Sequence, residues 1–453
     1  MKEPLRIITV PNQFLREVTQ PVTSFNNDLK DQAKLMTDFL HNEYGVGLAA
    51  NQIGLNNSVF VVEFLDETGK NNIPLQFFVN PEIVEYSKEQ NEMFEGCLSI
   101  PKIELSITRP EKIKVKAQDL DGKRIKIAAK GLLARIIQHE TDHLRGKVFT
   151  ELAKEKLHHE NPELKKMKIV YIGTGEFSEM ILRGLILLDL NIKLILTEKG
   201  KPSGRAQRIC LSPVGQAAQN FNKKFLEVEK ISDFTLEIKE TDPDLIITAD
   251  FGKLIPTEII QIPKIMSIVT HQSLLPKFRG PSPIQSAILA GEKETGVTII
   301  KMSPEFDTGE ILIQEAIEID KQDNALSMRN LLANVSLKML LEILPKIQEG
   351  KIKVIPQDES KASITHKFTK ADGEINWKKS VKEIDKQIRA LFGWPGTFTS
   401  IDGKRLIIHQ AHLDNGKLVL DIVQPEGRQP MPWNDFLRGF KGKAPDWFSK
   451  IKR

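Results

Sequence analysis

His139 and His143 stand four residues apart in QHETDHLRG, so a helix would point both imidazoles from one face toward a shared metal ion. Glu140 sits beside the first of them, where a carboxylate can take a proton from an activated water. Cys97, in EGCLS, offers a thiolate from a probable strand. It would complete a Cys, His, His set whose fourth position stays open, the coordination of a catalytic site. Upstream, GVGLAANQIG from Gly45 to Gly54 is a glycine-rich turn able to bring Gln52 and backbone groups close to a ligand. Farther along, KIVYIGTGEFSEM carries Gly173 and Gly175, with Ser178 where a third glycine would complete a dinucleotide fingerprint. Glu198 follows at the end of the next strand, but the segments downstream point away from a nicotinamide cofactor.

The elements that must position these groups fall into three blocks. Residues 1 to 150 alternate short strands and turns, such as IKVKAQDLDGKRIKI around an Asp-Gly turn, with one helix before Gly45 and one around His139. That is an α+β domain. Residues 151 to 166 are polar, mixed in charge and contain a proline, which suits a linker or a frayed helix. From 167 to 365 the buried strands KIVYIG, LILT and DLIITA recur at βαβ spacing, the pattern of an open, doubly wound parallel sheet of Rossmann-like type. From 366 to 453, a helix around VKEIDKQIRALF leads into alternating strands broken by Asp-Gly and Asn-Gly, which predicts a small OB-like β-barrel.

The three segments of the first block together resemble the peptide deformylase family, whose signatures are GxGLAAxQ, EGCLS and QHExDHL. The resemblance implies a ferrous ion, replaceable by zinc or nickel, on Cys97, His139 and His143, with Glu140 as the proton-transferring base. It also implies Gln52 and the backbone N–H of Leu98 as donors to the oxyanion, and an N-formylmethionyl nascent peptide, met at the ribosome, as substrate.

The later segments EKGKPSGRAQRI, DFGKLIP, THQSLLPKFRGPSPIQ and FDTGEIL resemble methionyl-tRNA formyltransferase. By that resemblance His271 frees the amine of initiator methionyl-tRNA for attack, Asp307 orients the imidazole, and Ser273, Leu274, Leu275 and Pro276 line a pocket for 10-formyltetrahydrofolate. Arg205, on the basic loop from Lys199 to Arg208, would grip the acceptor end of the tRNA. Val269 stands where the family has an asparagine two residues before the histidine. Losing one oxyanion donor costs on the order of 100- to 1,000-fold in rate, and Gln272 is an alternative amide. The C-terminal pieces FGWPGTFT, QPEGR and FLRG match the family with fewer residues between them, so the barrel is expected to be shortened.

The leading expectation is a bifunctional enzyme; the competing one is an active deformylase carrying an impaired, tRNA- or ribosome-binding transferase module. Transfer to an amino sugar nucleotide is a third reading, disfavoured by the basic Arg205 loop and C-terminal module. From Lys370 to Arg453 there are 16 Lys and Arg against 10 Asp and Glu, in a chain of net charge +4. Two distant cysteines, Cys97 and Cys210, argue against a disulfide framework, and neither a bilayer-length apolar run nor a signal peptide is evident. A cytoplasmic protein is the expectation.

Overall fold

A computed structural model describes residues 5–66, 69–70, 72–203, 208–442 and 444–452. It divides into two compact units, Met1–Glu163 with Ile186–Asp189 and Leu164–Leu185 with Leu190–Arg453.

In the first unit, α1 (Asn27–Asn42) begins where the Asn26 side chain accepts from the Leu29 N–H, one of the donors a helix start leaves unpaired. Its residues Leu29, Ala33, Met36 and Leu40, at helical spacing, are all buried. Strands β1 (Gly47–Ala49), β2 (Val59–Phe64), β3 (Ile73–Tyr86), β4 (Gln90–Cys97), β5 (Ile100–Pro110), β6 (Lys112–Gln118) and β7 (Arg124–Lys130) follow. Five form an antiparallel sheet in the order β1-β2-β3-β6-β7, and β4 pairs separately with β5. The QHETDHL segment lies on α2 (Gly131–Leu144), which packs Ala134, Ile136 and Ile137 into a core with Phe60, Phe78 and Val115. Leu40, Leu48 and Val61 belong to a second core together with α1. Replacing a fully buried leucine such as Leu40 by alanine would cost about 2–5 kcal/mol. The polar stretch after residue 150 is helical over α3 (Thr150–Glu160).

The second unit opens with β8 (Ile169–Gly173) and α4 (Glu176–Leu187). Then come β9 (Ile192–Glu198), the ribbon β10 (Lys201–Ser203) and β11 (Arg208–Cys210), α5 (Pro213–Asn220), β12 (Phe225–Val228), α6 (Thr235–Glu240), β13 (Leu245–Ala249) and α7 (Thr257–Ile260). The sheet continues through β14 (Met266–His271), α8 (Pro283–Ala290), β15 (Glu294–Lys301) and β16 (Ile311–Glu318), and α9 (Ala325–Gln348) follows. Strand order is β12-β9-β8-β13-β14-β15-β16, parallel through β14 and antiparallel beyond. The expected parallel sheet is therefore mixed. A strand buried on both faces, as β15 is, carries no alternation from which its direction could be inferred. Strand order reverses between β8 and β13, the kind of switch point at whose C-terminal strand ends open α/β sheets bind ligands.

After α10 (Val381–Ala390), strands β17 (Thr397–Ile401), β18 (Lys404–Asp414), β19 (Lys417–Pro425) and β20 (Met431–Pro432) make a four-stranded antiparallel meander, followed by α11 (Trp433–Gly439). Its two tight turns use Asp402-Gly403 and Asn415-Gly416, all four at positive φ, as the sequence predicts. Pairing among the described residues joins only strands adjacent in sequence. The module's core holds Ile384, Leu406, Leu420, Trp433 and Phe448. Among the described residues no helix is long and apolar enough to cross a membrane.

Candidate active sites

The ligand atoms of Cys97, His139 and His143 lie within 4.8 Å of one another. Cys97 Sγ stands 3.1 Å from His143 Nε2. A tetrahedral ion with bonds of roughly 2.0–2.3 Å spaces its ligands by a comparable distance, so the three residues fit a metal. The orientation of His139 comes from Glu95, whose carboxylate accepts from Nδ1 at 3.0 Å and leaves Nε2 for the ion. Glu95 is itself gripped by Arg109 through Nε (2.6 Å) and Nη2 (3.0 Å) and by Arg135 through Nη1 (2.5 Å). Arg109 continues to Asp142 at 2.7 Å on the outer turn of α2. Asn51 Nδ2 donates to the His143 carbonyl at 2.6 Å and ties the glycine-rich turn to the same helix.

This arrangement sets the protonation states. Burial favours the neutral form of Glu95, but hydrogen bonds from His139 and Arg109 overcome it and hold the carboxyl down at about 2. Burial and the neighbouring His139 hold His143 well below its usual value, neutral and able to ligate. Its Nδ1 is buried without a partner. Glu140, 4% exposed, is pushed up to about 7 by burial, with His139 opposing and Glu95 reinforcing the shift. Its Oε2 has no partner. A Cβ on Gly47 would sit 2.4 Å from Glu140 Oε1, so glycine there is required for the carboxylate to lie against β1. Gln52 is buried, with Oε1 accepting from Ala49 N–H at 2.8 Å and Nε2 directed at Ser99 Oγ (3.2 Å) and Cys97 Sγ (3.4 Å). Leu98 lies on the turn between β4 and β5.

In the second unit His271 ends β14 and is 6% exposed. Its Nδ1 is 3.5 Å from Asp307 Oδ1, while Nε2 lies 2.9 Å from the carbonyl of Phe278. A carbonyl only accepts, so this hydrogen bond is donated by Nε2. Asp307, at positive φ, is fixed by the Gly280 N–H to Oδ2 (2.8 Å) and by Gln357 Nε2 to its carbonyl (2.8 Å). Gln357 and Glu359 also hold the guanidinium of Arg279. Of the four residues expected to line a folate pocket, Ser273 and Leu275 are buried with their polar groups engaged. Ser273 Oγ donates to the Lys277 carbonyl at 2.7 Å, and Leu275 N–H to Thr298 Oγ1 at 3.1 Å. Leu274 and Pro276 are the partly exposed members. Arg205 lies outside the described residues. Val269 is half-buried on β14, in register with Thr248 on one side and Ile300 on the other.

Glu95, Arg109, Arg135 and the Phe278 carbonyl were not anticipated from sequence. Glu95 had a signal, standing two residues before Cys97 on one strand; the arginines had none, being 14 and 40 residues away.

Residues 4–158 match the polypeptide deformylase family, 167–344 the formyl transferase family, and 367–417 the formyl transferase C-terminal domain. The methionyl-tRNA formyltransferase of Caldicellulosiruptor saccharolyticus is 36% identical over 313 residues, covering 62% of this chain and all of its own. That of Dictyoglomus thermophilum is 38% identical over 305 residues, 61% of this chain and 97% of its own. A crystal structure of a peptide deformylase from Legionella pneumophila is 38% identical over 33% of this chain and 85% of its own, with a TM-score of 0.30.

Proposed function

We propose, from the premise that this chain belongs to the methionyl-tRNA formyltransferase family and carries a polypeptide deformylase domain ahead of it, that one polypeptide acts at both ends of the formylmethionine cycle. Its second unit formylates methionyl-tRNA from 10-formyltetrahydrofolate, and its first removes the formyl group from formylmethionyl peptides. The observation that carries the reading is the convergence of Cys97, His139 and His143 beside a buried carboxylate with a free oxygen.

Cys97 Sγ and the two imidazoles would hold the divalent ion, proposed to be ferrous, which zinc or nickel could replace. When bound, the ion supplies Lewis acidity that makes water a nucleophile near neutral pH. Glu140, its carboxyl pushed up by burial, accepts the proton of the attacking water and returns it to the departing amine. Gln52 Nε2 and the Leu98 N–H would face the oxyanion.

In the second unit, Asp307 would favour the tautomer with the proton on His271 Nδ1, leaving Nε2 to take the proton of the attacking amine. Because Nε2 rests on the Phe278 carbonyl, the acceptor must displace that hydrogen bond. Leu274 and Pro276 would offer apolar contacts to the folate, with Ser273 and Leu275 shaping the loop. The switch in strand order between β8 and β13 supports a Rossmann-like description, and the basic meander a reduced OB-like module contacting RNA. Arg205 remains the proposed contact to the acceptor end.

The test is formylation of methionyl-tRNA by the purified full chain with 10-formyltetrahydrofolate, a chelator silencing the deformylase and His271→Ala as control. Turnover that the control abolishes supports the bifunctional reading. Deformylation of a formyl-Met peptide without any formylation would leave a binding module, the outcome Val269 makes worth testing.

A further inference from the structure

We infer that the hydroxyl of Thr248 is the donor that stabilises the formyl oxygen during transfer, a role that rests on the formyltransferase reading above. When the acceptor amine attacks, its lone pair forms the new C–N bond and the formyl C=O pair moves onto oxygen. That charge needs a hydrogen bond on the side of the sheet that carries His271. The pair returns as the bond to the folate nitrogen breaks, the amine proton passing to His271 and from there to that nitrogen.

The register decides which group is available. Val269, two residues before His271, shares its face of β14 and cannot donate. Its partner across β14 and β15 is Ile300, also apolar. Across β13 and β14 its partner is Thr248, and paired residues project from the same face. Ile246, two residues before Thr248, packs in one cluster with Ile172 and Val269, which fixes that face. The other hydroxyls that β14 and β15 place on it are committed. Ser267 donates to the Ile260 carbonyl at 2.7 Å, and Thr298, opposite His271, donates to the Ser273 carbonyl at 2.7 Å. Thr248 is 5% exposed and its Oγ1 has no partner. Thr270 is also buried and unpartnered, but it points from the opposite face.

An unpaired buried hydroxyl lowers stability, so a purely structural Thr248 predicts that valine, which removes only the polar atom, leaves turnover unchanged. The catalytic assignment predicts the reverse for activity. In the full chain, Thr248→Val should lower kcat for formylation about 100-fold, leave KM for 10-formyltetrahydrofolate near its original value, and maintain or raise the melting temperature. Thr248→Ser should retain most of the turnover, and Val269→Asn added to Thr248→Val should restore it by bringing an amide to the adjacent position. Full turnover in Thr248→Val overturns the inference. So does a loss that appears in KM, or one that neither serine nor the asparagine relieves. Were the valine variant unstable, the serine variant and the rescued double variant would still decide. No formylation by the unmutated chain, with deformylation intact, would instead remove the reading beneath it.

Discussion

Around His139 the chain encloses a network of charged side chains, whereas around His271 it relies on backbone groups. Glu95 fixes the first imidazole, and the guanidinium groups of Arg109 and Arg135 fix Glu95. The second imidazole rests on the Phe278 carbonyl, with its carboxylate partner 3.5 Å from Nδ1. The first ring is oriented through the nitrogen it does not use, so its other nitrogen is turned toward the ligand set with Cys97 before any substrate arrives. The second is held through the nitrogen that the chemistry needs, so substrate must release it. A metal site gains from a preset geometry; a site awaiting a bulky acceptor can complete itself on binding.

The largest effects should separate the two sites cleanly. Glu140→Gln should lower deformylation of a formyl-Met peptide by roughly 100- to 10,000-fold and leave formylation untouched. His271→Ala should do the opposite by a similar factor. Stripping the metal with a chelator should abolish deformylation alone. Steady-state assays of both reactions on each variant check this, and a loss of both activities in either single variant would break the separation.

Smaller, and confined to the first site, is the effect of unsettling its buried charges. Glu95→Gln would leave two arginines facing a neutral amide, at a cost of roughly 3–5 kcal/mol, and should weaken metal affinity about 10- to 100-fold. Ser273→Ala removes a neutral hydrogen bond within the second site's loop and should cost only about 1 kcal/mol. Urea unfolding of the full chain, followed by probes in each unit, measures both; comparable losses would mean that the second site is as rigidly built as the first.

What the sequence reveals follows the same division. Cys97, His139, His143 and Glu140 are legible because local geometry, one helix face and one strand end, brings them together. The hairpin turns at Asp402-Gly403 and Asn415-Gly416 are legible because their positive φ angles restrict the residues that fit. The grip of Arg109 and Arg135 on Glu95 depends on strand register and on how α2 packs, which no local pattern encodes. The placement of Thr248 beside Val269 depends equally on the pairing of β13 with β14. The direction of β15 is likewise hidden, since a strand buried on both faces looks the same either way.

The smallest expected effect compares two carboxylates that both titrate at about 2, Glu95 in the first unit and Asp242 in the second. Each is depressed below its ordinary value, 4.5 or 3.8, so each contributes stability that is present above that value and is lost as pH falls toward 2. Their causes differ. Glu95 is buried and held by His139 and Arg109 against the cost of burial, whereas Asp242 lies exposed between Lys168 and Lys264. Water and counter-ions screen the second pairing and hardly reach the first. Acid unfolding should therefore separate Glu95→Gln from the unmodified chain equally at low salt and in molar NaCl. Asp242→Asn should differ slightly at low salt and merge with the unmodified chain at high salt. Equal salt dependence of the two variants would show that solvent reaches Glu95, and the rigid orientation assigned to His139 would then lose its physical basis.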